Sequence, residues 1–422
     1  MPFSSLATSI APLPWWLLYP GLLALAFAEA YLFQRVGGYL ILRRLRSEQP
    51  QHWAERARLA FPYATFTIFH LMIVSIGWLV VGTHLWANLW GSLPLVGAAC
   101  LGIHSCSRPT WTSLRGTRKG ATAKRPLMLV GLPFLNAISV LLPVLVVVSL
   151  PKTSQVETWL AVPALTLGLI AYRAWFSIPL ARVLGILQPA PEPLEHQVEN
   201  LARERGMPPP KTYVIRSETA NAFALTTCHS LGFTSDALEI LSRAERETII
   251  QHELAHLAES PALRWLRACS VVIYAPLIAI PPLIGQFDHL GLWIGLLAYL
   301  ILSRLWGHIS RRFERLADTQ AKHRGAGDAD GAETSDSTLE NSHVYAGALE
   351  KLYQHNLVPA VLRGKGLSHP NLYDRLLDAG VTPDFPRPKP PPRGPLILAV
   401  ASALVGLASL LKLLPYLGDR MP

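Results

Sequence analysis

The sequence predicts a mainly helical, multi-pass membrane bundle that carries a polar α+β domain. Three observations predict it. Half of the 422 residues are hydrophobic and only 16% are charged, against about a quarter in soluble domains. Apolar stretches long enough to span a bilayer recur along the chain. The polar residues gather into two long blocks, 187–265 and 307–394.

The apolar stretches lie near 14–33, 62–82, 87–105, 127–150, 158–186, 266–285, 289–306 and 395–416. The third holds Gly91, Pro94, Gly97 and Gly102, so a re-entrant path competes with a full crossing. The sixth holds Pro276, Pro281 and Pro282. A kink or break is expected there, with neighbouring helices satisfying the freed backbone groups.

Charge orients the bundle. Loop 34–60 carries Arg35, Arg43, Arg44, Arg46, Arg56 and Arg58, and loop 106–126 carries Arg108, Arg115, Arg118, Lys119, Lys124 and Arg125. The loops around 83–86, 151–157 and 286–288 hold only Lys152. Basic loops stay cytoplasmic, so eight crossings from an external N-terminus put both polar blocks in the cytoplasm. Ala26-Phe27-Ala28 has the form of a signal-peptidase site, but no Lys or Arg precedes Arg35, so a retained first helix is expected. The net charge of +10 is accounted for by these loops. The expected partner is therefore the lipid bilayer and not a nucleic acid. Cys100, Cys106, Cys228 and Cys269 form no CxxC pair, which argues against a disulfide framework and for a reducing compartment. The sequence gives no oligomeric state.

The first polar block reads as short strands followed by a helix. Lys211–Arg216 and Asn221–Thr226 have strand character, Gly232 and Ser235-Asp236 mark turns, and Ala237–Leu241 is a short helix. Ser242-Arg243-Ala244-Glu245 has the spacing of a capping box, starting a helix that runs to about Glu259. In the second block, Arg311 to about Lys322 continues the seventh span as helix. Gly325–Ser342, rich in Gly, Ala, Asp and Ser, reads as a mobile loop, placed close enough after Glu314 to gate a cleft. Residues 343–380 read as helix, and Pro383–Pro395 as a stiff linker.

His252-Glu253-Leu254-Ala255-His256 carries the chemistry. Residues i and i+4 share one helix face, so two imidazoles at that spacing can grip one zinc ion. Glu253 sits where its carboxylate can take the proton of an attacking water. Two chance histidines on an amphipathic helix are the bland alternative. Ile249, Ile250, Leu254 and Leu257 form an apolar stripe that packs the helix and weighs against it. A catalytic zinc needs a third protein ligand. Glu314 can supply it, with Asp318 one turn later accepting the N–H of a ligand histidine. Taken alone, these two acids read equally as a solvated charge face with Arg311 and Arg315.

HExxH, a two-helix membrane hairpin and then Arg311-x-x-Glu314-x-x-Ala317-Asp318 together resemble the integral-membrane gluzincins. That family includes the type I CAAX prenyl proteases and the bacterial HtpX-like proteases. Asn221-Ala222-Phe223-Ala224 and Ser368-His369-Pro370-Asn371-Leu372-Tyr373-Asp374-Arg375 are similar to two further family elements. The resemblance covers about 211–376. It implies a zincin-like α+β metallopeptidase domain with one zinc ion on His252, His256 and Glu314, Glu253 as catalytic base and Asp318 behind a ligand. It also implies that Asn221 and Ala222 pair with the substrate backbone, and that His369 or Arg375 stabilises the oxyanion. The expected layout is then a five-span membrane region over 1–186, a metallopeptidase domain over 187–385 including the hairpin 266–306, and a Pro-rich linker with a last span over 386–422. Membrane-associated or prenylated proteins are the substrates this implies. Two other classes compete. An intramembrane metalloprotease would place HExxH inside a span, but Arg243, Glu245, Arg246, Glu247 and Glu259 surround it. A transporter or scaffold would carry the HExxH helix without catalysis.

Overall fold

The computed structural model describes residues 15–86, 89–115, 143, 146, 150–217, 219–322, 335–363 and 370–392. The chain divides into two compact units, 1–119 with 390–422, and 120–389.

In the first unit, α1 (Trp15–Glu48), α2 (Trp53–Trp86) and α3 (Leu89–Arg115) pack on one another. Their shared core is Ala26, Ala30, Val74, Trp78, Leu95, Ala99 and Ile103. Small residues let the helix backbones close up, as lipid-embedded helices do. A Cβ on Gly102 would stand 2.4 Å from the Phe27 carbonyl oxygen. The fully buried Gln34 is satisfied between helices, donating to the Tyr63 hydroxyl at 2.8 Å and to Thr67 at 2.7 Å. Of the segment expected to cross or re-enter over 87–105, the described residues from Leu89 on lie in α3, an unbroken helix of 27 residues.

The second unit opens with α4 (Val156–Ala171), a π-helical turn over Tyr172–Phe176 and α5 (Ser177–Val183). Next come β1 (Leu187–Pro189), α6 (Glu192–Glu204), β2 (Lys211–Ile215), β3 (Ala222–Leu225) and β4 (Ser230–Thr234). The short α7 (Ser235–Ile240) leads to α8 (Arg243–Leu257), the helix that carries HExxH. The sixth apolar stretch is broken as its prolines require. It runs as α9 (Pro261–Ala268), a 3₁₀ turn over Cys269–Tyr274, α10 (Ala275–Ile278) and α11 (Ile280–Phe287). Long α12 (His289–Lys322), α13 (Ser335–Asn356) and α14 (Leu372–Asp378) complete it.

Among the described residues, four helical stretches are long and apolar enough to cross a membrane: Trp53–Ser75, Val156–Val183, Pro261–Phe287 and His289–Thr319. The expected span at 127–150 lies mostly, and that at 395–416 wholly, outside the described residues.

The sheet has the order β1-β2-β4-β3, parallel between β2 and β4 and antiparallel elsewhere. It corrects one expectation. Gly232 sits mid-strand in β4 opposite Phe223, and not in a turn. A Cβ there would stand 2.3 Å from the Phe223 ring, so only glycine lets that ring lie flat across the sheet. The turn comes earlier, at Thr226–His229, where His229 takes a φ of 48°. Two further expectations change. Of the loop 325–342, residues 335–342 are the start of α13, and 325–334 lie outside the described residues. The stretch 343–380 is not one helix, because α13 ends at Asn356 and α14 begins only at Leu372. Leu357, at a φ of 52°, marks the break.

Candidate metal centre

The site begins with the N-terminus of α8. The Ser242 hydroxyl accepts from the Glu245 backbone N–H at 3.3 Å, and the Glu245 carboxylate accepts from the Ser242 N–H at 2.8 Å. This is the capping box read from the sequence. Glu245 also holds Lys351 of α13 at 2.8 Å. From Thr248 to Leu257 every residue is buried, with β3, α12 and α13 packed around the helix. HExxH is therefore interior, and its polar side chains must find partners there.

They find one another. The His252 and His256 rings stand perpendicular with centroids 4.9 Å apart. Glu314 reaches in from α12, placing one carboxylate oxygen 3.6 Å from His252 Nε2 and the other 3.6 Å from His256 Nε2. One ligand atom from each residue lies within 4.8 Å of the others. Bonds of about 2.0–2.1 Å in a tetrahedral zinc shell separate ligand atoms by about 3.4 Å, so the 3.6 Å spacings fit. Two imidazoles and one carboxylate are also a zinc donor set.

The outer faces of both rings fix their tautomers. Tyr345 donates its hydroxyl proton to Asp318 Oδ1 at 2.5 Å, and its oxygen lies 3.0 Å from His252 Nδ1. Asp318 Oδ1 is itself 3.2 Å from that nitrogen. The proton of Tyr345 being committed, His252 Nδ1–H must donate, which leaves the Nε2 lone pair facing Glu314. Arg375 completes the cluster. Its Nε and Nη2 grip Asp318 at 2.9 and 2.6 Å, and Nη2 also donates to Tyr345 at 2.8 Å. At the other ring, His256 Nδ1 lies 3.1 Å from both Glu259 Oε1 and Arg267 Nη2. A carboxylate oxygen only accepts, so the bond to Glu259 requires Nδ1–H to donate. Arg267 holds both oxygens of that carboxylate at 2.5 and 2.7 Å.

Charge at the centre favours a cation. Burial alone pushes the His252 imidazole down, but its hydrogen bonds to Asp318 and Glu314 outweigh this and hold it up at about 9, so the Nε2 proton stands where a bound cation would replace it and take up the lone pair. Burial pushes Glu259 up, but His256 and Arg267 outweigh it and keep the carboxylate below its usual range.

The structure thus gathers His252, Glu253, His256, Glu314, Asp318 and Arg375, all buried. Asn221 and Ala222 are at the start of β3. That strand is the sheet edge packed on α8, and among the described residues no strand pairs with its outer side. His369 lies outside the described residues. Three participants escaped the sequence reading. Tyr345 gives no local signal. Glu259 does, since it stands three residues after His256 on the same helix face, but it was counted only as a flanking charge. Arg267 follows from Glu259.

The model of peptidase family M48 matches residues 190–379. Three HtpX protease homologues are similar to the chain. The one from Pyrococcus abyssi is 30% identical over 141 residues, 31% of this chain and 45% of the relative. That from Thermodesulfovibrio yellowstonii is 38% identical over 116 residues, 26% and 40% of the two lengths. That from Persephonella marina is 28% identical over 240 residues, 53% and 80%. The chain thus spans less than half the length of the first two. The matched region contains the whole His252–Glu314 cluster with its supporting acids, so residues 190–379 are similar to the peptidase family M48 domain and to these HtpX homologues.

Proposed function

We propose that this chain is a zinc metalloendopeptidase that hydrolyses peptide bonds of membrane-associated proteins at the cytoplasmic face. The observation that carries the proposal is the convergence of His252 Nε2, His256 Nε2 and Glu314 on one point, with Glu253 on the same helix. Held by those three side chains, a zinc ion supplies Lewis acidity and lowers the pKa of water toward neutrality. Glu253 takes the proton of the attacking water and returns it to the departing amine nitrogen. Ala222 lies on the outer edge of β3, whose backbone groups pair with an extended substrate and read its main chain more than its side chains. The Asn221 backbone is bound to Thr234, and Asn221 is assigned to the substrate through its side chain. Arg375 has its Nε and Nη2 bound to Asp318 and Tyr345, so we assign it to positioning Asp318. The oxyanion donor of this proposal is then His369. The basic loops 34–60 and 106–126 support the cytoplasmic face.

The test is cleavage by the purified full chain in a bilayer, with zinc content measured in parallel. Glu253→Gln is expected to lose at least about 10²-fold in turnover while retaining its zinc, and His252→Ala to lose the zinc. Turnover retained by Glu253→Gln rules out its role as base. A cleavage-site map on a membrane protein, set beside a farnesylated CAAX peptide, settles the substrate class. Preference for the peptide overturns the assignment to membrane proteins in general.

A further inference from the structure

A second polar feature is lined by none of the residues of the candidate metal centre. A cavity of about 220 Å³ opens between the π-helical turn, the tip of the β3–β4 hairpin and α9. Trp175, Trp265, Thr226 and Thr227 line it. Arg264 lines it as well, and its Nε is buried with no hydrogen-bond partner. A buried guanidinium N–H without an acceptor is costly, and the same guanidinium group brings a fixed positive charge to the cavity wall.

Its surroundings indicate which acceptor. Trp265 is in the second turn of the apolar stretch Pro261–Phe287, and Trp175 is eight residues before the end of Val156–Val183. Their rings meet edge to face at 6.1 Å, so the two antiparallel stretches bring them to one level. That level is capped by the hydroxyls of a polar hairpin, which is the position of a membrane–water interface, where tryptophan is enriched. Both rings are about half exposed or more, and Phe176 and Leu266, next along each helix, are exposed too. Such a surface suits acyl chains.

We infer that this cavity binds the phosphodiester headgroup of an anionic phospholipid. The phosphate accepts from the Arg264 guanidinium and from the Thr226 and Thr227 hydroxyls, while the chains leave along Trp175 and Trp265 into the bilayer. Arginine suits the role because its fixed, weakly hydrated fork matches phosphate oxygens. The inference does not depend on catalysis, since its readout is bound lipid.

The test is native mass spectrometry of the full chain, stripped of lipid in detergent and titrated with phosphatidylglycerol, phosphatidylcholine or inorganic phosphate. One phosphatidylglycerol is expected to be retained, ahead of phosphatidylcholine and not displaced by inorganic phosphate. Arg264→Gln is expected to bind it about tenfold more weakly, the loss of one charge-assisted hydrogen bond. Thr227→Trp, which fills the cavity from the hairpin side and leaves Arg264 in place, is expected to weaken it as well, so a folding failure of one variant leaves the other to decide. Wild-type retention in both variants, equal retention of phosphatidylcholine, or displacement by inorganic phosphate overturns the inference. So does a changed cleavage pattern in Arg264→Gln with lipid retention unaltered, which would assign the cavity to substrate.

Discussion

Asp318 and Glu259 decide which nitrogen of each site histidine faces the metal position, and each is held in turn by an arginine fork. Removing that support weakens metal binding without touching a ligand. Asp318→Asn and Tyr345→Phe are each expected to lower zinc affinity by about 10–100-fold. Competition against a chelator of known affinity measures this. Unchanged affinity in both variants would mean that the tautomer of His252 is fixed by something else. Arg375→Met leaves Asp318 as an uncompensated buried charge and is expected to cost about 3–5 kcal/mol of stability. Denaturant unfolding in detergent reads that loss. A Met variant as stable as wild type would show that water or another cation reaches Asp318. Glu314 and Asp318 were legible in the sequence because helix spacing sets them one turn apart. Tyr345 was not, because a single aromatic 93 residues from its partner leaves no pattern in a chain.

The elements around the site owe their placement to short-range chemistry. The box at Ser242 and Glu245 starts α8 at a fixed residue, and so sets the phase at which His252 and His256 face α12. Ser242→Ala is expected to cost about 1 kcal/mol, read as a lower unfolding midpoint with zinc still bound. Burial alone would push Glu245 up. Its bonds to Lys351 and to the Ser242 N–H and hydroxyl outweigh this and leave it below the ordinary 4.5. A carboxylate lowered on folding stabilises the protein above its unfolded pKa, and that share is lost as pH falls through the folded value. Stability is therefore expected to decline below about pH 4.5, with a shallower slope in Glu245→Gln. An identical slope would remove Glu245 from the account. The cap was legible because four consecutive residues contain it. Strand β4 was misread because glycine inside a strand is exceptional, and its reason, the Phe223 ring, lies on another strand. The short β1 and helix α6 went unread beneath their prolines. The break after α13 carries only the mild local signal of Asn356 before a left-handed Leu357.

Across the whole molecule, composition and hydropathy indicated the membrane class, and charge next to each span indicated an orientation. Neither identifies a substrate, because lipid-facing surfaces are read by lipid as much as by protein. One feature of α12 has a larger consequence. It is a single helix of 34 residues that contains both an apolar stretch able to cross the membrane and, near its polar end, Glu314 and Asp318. Glu314 lies about 38 Å from the helix start at 1.5 Å per residue. A tilt of only about 1° about that start moves it by about 0.7 Å, beyond the roughly 0.5 Å that a catalytic constellation tolerates. A bilayer too thick or too thin for a span is accommodated partly by tilt. Turnover in bilayers of graded acyl length is therefore expected to peak at one length and fall on either side, and a flat profile would show that α8 follows α12 as a rigid pair. Membrane thickness, a property of the lipid alone, thereby becomes a setting of the geometry at the candidate metal centre.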